Sequence, residues 1–96
     1  MPTAMWNNQI IAEAHDGEIH RVEGNVYFPL YAVKREFLRA SDTQSHCVWK
    51  GIASYYDVVV DNQVNKDAAW YYAEPSTIAA RIRDHVAFWH GVKVEE

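Results

Sequence analysis

The fold class this chain predicts is mainly β, an α+β chain with one or two short helices. Three observations lead there. Turn-forming pairs recur early and often, at Asn7-Asn8, Asp16-Gly17, Gly24-Asn25 and Asp61-Asn62. The run Ile52 to Val60 is dense in residues that favour a pleated surface, among them Tyr55, Tyr56, Val58, Val59 and Val60. Only the segment after Pro75-Ser76 carries a sustained helical stripe. With 96 residues, the chain is expected to close a single domain over residues 1–96, because a second core has too little left to build it.

The elements follow in order. Asn7 and Asn8 tolerate positive φ and separate Met5-Trp6 from the stretch Gln9 to Ala14, which predicts a tight hairpin. Asp16-Gly17 turns the chain into Glu18 to Glu23, where Ile19 among polar neighbours fits a half-exposed strand. Gly24-Asn25 turns it again into Val26-Tyr27-Phe28, which Pro29 ends. Leu30, Val33 and Phe37 have the spacing of a short helical turn, and Ser41-Asp42-Thr43 has the polarity of a loop.

From Thr43 to Trp49 the residues alternate. Thr43, Ser45, Cys47 and Trp49 fall on one strand face, with Gln44, His46 and Val48 on the other. Gly51 bends the chain into the Ile52–Val60 strand. Asp61-Asn62 predicts a hairpin that returns through Gln63-Val64 to Trp70-Tyr71-Tyr72, with Asn65-Lys66-Asp67 as a loop or bulge. Ser76 is placed to cap a helix over Thr77 to Asp84, with Ile78, Ala79 and Ile82 as its apolar stripe. His85 to Trp89 and Val92 to Val94 read as final short strands around Gly91.

Composition excludes several function classes. Nine Lys+Arg against thirteen Asp+Glu give a net charge of −4 with no basic block, so no nucleic-acid partner is expected. Excluding proline, the longest apolar run is the six residues Ala68 to Ala73, against the ~20 that span a bilayer, so no membrane association is expected either. Met1 to Asn8 lack a basic start followed by an apolar stretch, which makes a cytoplasmic location the expectation. A lone Cys47 cannot form an internal disulfide. The five histidines, His15, His20, His46, His85 and His90, show no ligand spacing, so no metal and no cofactor are expected. His20, His85 and His90 read as surface or loop residues.

The densest chemistry lies in Cys47 to Tyr56, where the only cysteine, a tryptophan, a lysine and a tyrosine pair surround one glycine. Trp49, Trp70, Tyr27, Tyr56 and Tyr72 fit either a packed β core or a cage for a flat or cationic ligand. A lysine set among aromatics either snorkels outward or is held by a carboxylate, and Glu23 is the candidate partner of Lys50. That pair is either structural, or binds a carboxylate or phosphate through Lys50, or moves a proton. Cys47 is either a buried structural thiol or a nucleophile, the latter needing a cation such as Lys50 to lower its pKa. His46 is no ready base for it, because an ideal strand turns the two to opposite faces.

Taken together, Glu23-Gly24-Asn25-Val26-Tyr27-Phe28-Pro29, Cys47-Val48-Trp49-Lys50-Gly51, Tyr55-Tyr56, Ala68-Ala69-Trp70-Tyr71-Tyr72 and Phe88-Trp89 resemble the domain of unknown function 427 family over nearly the whole chain. The resemblance implies a compact single domain of short, strongly coiled antiparallel sheets of the β-tent kind, related in shape to Mss4-like domains and to the ligand-binding domain of cereblon. It implies no established activity. Relatives of that shape include binders with an aromatic cage and enzymes that act on oxidised methionine, and a shared fold transfers neither. Val48 stands where the family usually has proline after the cysteine. Zinc, which paired cysteines hold in related β-tent proteins, does not carry over to a chain with Cys47 alone.

The reading that combines these observations is a small-molecule binder. Its ligand site is expected around Trp49, Lys50, Tyr56 and Trp70, rimmed by Glu23, Tyr27, Cys47 and Tyr72. Two alternatives use the same residues or their neighbours: an enzyme with Cys47 as nucleophile or redox thiol, or with Lys50 and Glu23 as an acid-base pair; and a protein interaction module, self-association included.

Overall fold

The computed structural model describes all 96 residues as a mainly β domain of two antiparallel sheets. Its strands are β1 (Thr3–Trp6), β2 (Gln9–Glu13), β3 (His20–Val22), β4 (Asn25–Pro29), β5 (Leu38–Cys47), β6 (Gly51–Val60), β7 (Gln63–Tyr71), β8 (His85–Phe88) and β9 (Lys93–Glu95). A three-stranded sheet has the order β2-β1-β9, and a six-stranded sheet the order β3-β4-β8-β7-β6-β5. The helical segments are all 3-10 turns, at Asp16–Glu18, Leu30–Ala32, Arg35–Phe37 and Thr77–Ile82. None is long and apolar enough to cross a membrane.

Local turn chemistry sets the hairpins. Asn7 and Asn8 have φ of 50° and 65°, and Asp61 and Asn62 have φ of 50° and 64°, so each pair supplies the two positive-φ residues that a tight hairpin matching strand twist requires. The β3–β4 turn falls on Glu23 (φ 54°) and Gly24 (φ 79°), one residue earlier than the Gly24-Asn25 reading, and Asn25 opens β4 opposite Val22.

Strand parity divides the interior into two apolar clusters. Val26 and Phe28, Val58 and Val60, and Val86 and Phe88 join one cluster, with Tyr56 and Tyr71 packed on it; Tyr27, Trp70, Tyr72 and Ala87 join the other, with Tyr55 packed on that one. Successive strand residues point to opposite faces, so one sheet supplies both cores. Val26 to Phe28 and Val86 to Phe88 are accordingly buried without a break.

Several expectations are corrected. Ser41-Asp42-Thr43 is no loop: β5 runs through it, and the pairing with β6 shifts between Ala40 and Gln44 to absorb the irregularity. The segment lies on an edge strand, which explains its polar look. Strand structure before Glu23 begins only at His20, because Asp16–Glu18 is a 3-10 turn. The helix after Ser76 is a 3-10 segment interrupted at Ala79, and three residues per turn carry Ile78 outward, to 74% exposure, while Ala79 and Ile82 are buried. His20 and His85 sit in β3 and β8, half-buried, with ring centroids 5.0 Å apart.

Candidate functional site

The site grows from the hairpin that joins β5 to β6. Cys47 pairs with Gly51, so Val48-Trp49-Lys50 form a three-residue loop rather than the end of a strand. The segment 74–76 clamps that loop: the Ser76 N–H donates to the Lys50 carbonyl at 2.9 Å, and the Ser76 hydroxyl donates to the Trp49 carbonyl at 2.5 Å. Ser76 therefore spends its side chain on the loop, and makes no cap bond to its own helical turn.

With both carbonyls held, the Lys50 side chain runs inward. Its ammonium lies 5.4 Å from the ring centroids of both Trp49 and Tyr72, within cation–π range. Glu23, from the β3–β4 turn, meets it in an ion pair, and the other Glu23 oxygen accepts the Trp49 indole N–H at 3.2 Å. Behind them the Trp70 indole N–H donates to the Tyr27 hydroxyl at 3.2 Å, with the two rings edge to face. Cys47 packs against the same apolar cluster.

The electrostatics follow from this closure. The Glu23 carboxyl is held below its ordinary range, first by the Lys50 hydrogen bond and then by that of Trp49. Burial pulls the Lys50 ammonium down, but the Glu23 hydrogen bond and the nearby Tyr27, Tyr72 and Glu23 charges outweigh it, leaving its pKa above that of a free lysine. Burial raises the Tyr72 hydroxyl; Lys50 opposes that, and Tyr27 and Cys47 add to it.

Glu23, Tyr27, Cys47, Trp49, Lys50, Trp70 and Tyr72 are thus brought together. Tyr56 is not. It pairs with Ala69 and stacks on Tyr71 at 4.8 Å in the other core, whereas Tyr55 lies across from Trp70. Sequence reasoning missed Tyr55, Ser76 and Trp89. The Trp89 ring meets Trp70 at 5.2 Å and Tyr55 at 6.3 Å, and its indole donates to the Asp67 carbonyl at 2.6 Å. Nothing in Pro75-Ser76 distinguishes a helix cap from a loop clamp, since the partner carbonyls are 26 to 27 residues away.

None of the three open depressions of the surface is lined by a residue of this cluster. One of about 130 Å³ is lined by Leu30, Tyr56, Tyr71 and His85 among others, and one of about 400 Å³ by Gln44, Gly51, Ile52, Ser54, Ala73 and Glu74. Lys50 lines neither.

Fold and cluster together define a small antiparallel β domain with a charged lysine enclosed by aromatics. The family model described as domain of unknown function (DUF427) matches residues 3–96, and the chain belongs to that family. No curated protein matches the chain at a significant level.

Proposed function

We propose that this domain binds a small molecule at the cluster of Glu23, Tyr27, Cys47, Trp49, Lys50, Trp70 and Tyr72, and does so as a cytoplasmic protein. One observation carries the reading. The Lys50 ammonium is taken out of water between two aromatic faces, and its charge is met by a single carboxylate from a half-exposed turn. A buried ion pair adds little stability over an apolar side chain of the same volume, so packing alone gives a poor account of this charge. An anchor for a ligand gives a better one.

The acid-base alternative is less well supported. Lys50 is shifted above, and Glu23 below, their ordinary values, so both are charged near neutrality, and neither is poised to exchange a proton there. The test is a thermal-shift screen against small metabolites with Lys50→Met and Trp49→Ala run alongside. A ligand that binds the folded state raises the unfolding midpoint of the natural chain. That rise is expected to vanish in both variants. Persistence of every ligand effect in both would move the site elsewhere.

A further inference from the structure

We infer, building on the site just proposed, that the group recognised there is a carboxylate, and that Glu23 is its internal stand-in, displaced when the ligand binds. The two donors already hold one planar carboxylate between them: Lys50 Nζ meets Glu23 Oε1, and Trp49 Nε1 donates to Glu23 Oε2 at 3.2 Å. Each oxygen has its own donor, the arrangement that charge-assisted carboxylate recognition uses.

Donors and acceptor differ in freedom. Lys50 and Trp49 are the better held, because their carbonyls are bonded to Ser76, the lysine side chain is buried and the Trp49 ring packs half-buried against the apolar cluster. Glu23 sits at the tip of a two-residue turn beside Gly24, half of its side chain in water, and its carboxylate is tied down only by those two donors. Swinging outward returns the carboxylate itself to solvent, and the cost of the exchange falls on Lys50. The buried ammonium cannot follow, so the place Glu23 leaves must be taken by another negative charge.

This requirement sets the ligand class. A neutral molecule leaves Lys50 without a counter-charge, and a cation meets an ammonium. A phosphate dianion brings a second charge against one lysine. A monocarboxylate matches both charge and donor geometry, and an aromatic body gains the faces of Trp49 and Tyr72 as well. If Glu23 vacates the donors in one molecule of about ten, the apparent affinity of the natural chain is about tenfold below that of a chain without the stand-in.

The experiment titrates the full chain, Glu23→Ala, Lys50→Met and the Glu23→Ala/Lys50→Met double variant with sodium benzoate, benzamide and phenyl phosphate by calorimetry. The expected result is benzoate binding at least about tenfold tighter to Glu23→Ala than to the natural chain, no such gain for benzamide, a smaller gain for phenyl phosphate, and loss of the gain in the double variant. Equal benzoate affinity in the natural chain and Glu23→Ala overturns the stand-in. So does a gain for benzamide as large as that for benzoate. In either case, any probe whose binding is lost in Lys50→Met leaves the site itself standing, whereas probes that bind Lys50→Met as they bind the natural chain remove the site too. If Glu23→Ala is too unstable to titrate, its unfolding midpoint supplies the reading: benzoate is expected to raise it more than the midpoint of the natural chain, relative to equal sodium chloride, and equal rises overturn the proposal.

Discussion

Lys50 and Glu23 form an ion pair of unequal halves, the lysine side chain 7% exposed and the glutamate side chain 50%. Each charge removed therefore has a different consequence. Glu23→Gln leaves a buried ammonium with no counter-charge, whereas Lys50→Met removes the buried charge, fills the same space and releases Glu23 to water. Lys50→Met is expected to unfold within about 1 kcal/mol of the natural chain or to be more stable. Glu23→Gln is expected to be clearly the less stable of the two. Urea unfolding of both variants checks the order, and the reverse order would show that Lys50 is well solvated by some other route.

The same pair predicts how stability varies with pH. Glu23 titrates below its ordinary value of 4.5 in the folded chain, so its contribution is full above 4.5 and is lost as pH falls through the lower folded value. Lys50 titrates above 10.5 when folded, so its contribution is full below 10.5 and is lost as pH rises through the higher folded value. Between 4.5 and 10.5 the pair contributes a flat term. In Lys50→Met, the acid slope that belongs to Glu23 is expected to shrink. Unfolding free energies in urea between pH 2 and pH 6, at about half-unit steps, make the comparison. Identical acid slopes in the two chains would mean that something other than Lys50 holds the Glu23 carboxyl low.

What the sequence displays is chemistry local to a few residues. Asn7-Asn8 and Asp61-Asn62 announce their hairpins because positive φ is a property of the residues themselves, and the Ile52–Val60 run announces β6 by composition. The Glu23–Lys50 pairing is legible for a different reason: a lysine among aromatics needs a carboxylate, and Glu23 lies in a turn next to the Tyr27 strand. What it hides is register. Tyr55 and Tyr56 are interchangeable as letters, and only the pairing of Tyr55 with Trp70 decides which of them packs on the cluster that holds Trp70 and Tyr72. The Ser41–Thr43 segment reads as a loop because an edge strand with a wet face has no apolar alternation to show.

Asp57 marks the place where β6 and β7 fall out of register, since Tyr56 pairs with Ala69 but Val58 pairs with Asn65. Its buried carboxylate accepts the Asp67 N–H at 2.9 Å and the Arg39 guanidinium at 3.0 Å, and so supports the positive φ of 54° at Asp67. Asp57→Ala strands that N–H and is expected to cost about 1–3 kcal/mol. Asp57→Asn keeps an acceptor oxygen for it, and is expected to cost less. Hydrogen exchange at the Asp67 amide should quicken in Asp57→Ala far more than in Asp57→Asn; equal exchange in both would mean that the bulge holds itself.

Gly51 carries two independent constraints, and they can be separated. Its φ is +112°, and a Cβ built there would lie 3.3 Å from the Glu74 carbonyl oxygen and 3.7 Å from the Ser76 nitrogen. Both neighbours belong to the segment that clamps the Trp49–Lys50 loop, and both are backbone atoms that cannot rotate aside. Gly24 has a φ of +79° with nothing within 4 Å of the same added atom. Gly24→Ala is therefore expected to cost the backbone strain alone, about 1–2 kcal/mol. Gly51→Ala is expected to cost more, and also to push segment 74–76 away from the loop, weakening the Ser76 bonds that aim Lys50. The indole N–H resonance of Trp49 reports that displacement: it should move in Gly51→Ala and stay near its natural position in Gly24→Ala. A Gly51→Ala chain that melts like Gly24→Ala with an unmoved Trp49 resonance would show that the close approach of Glu74 does not position the site.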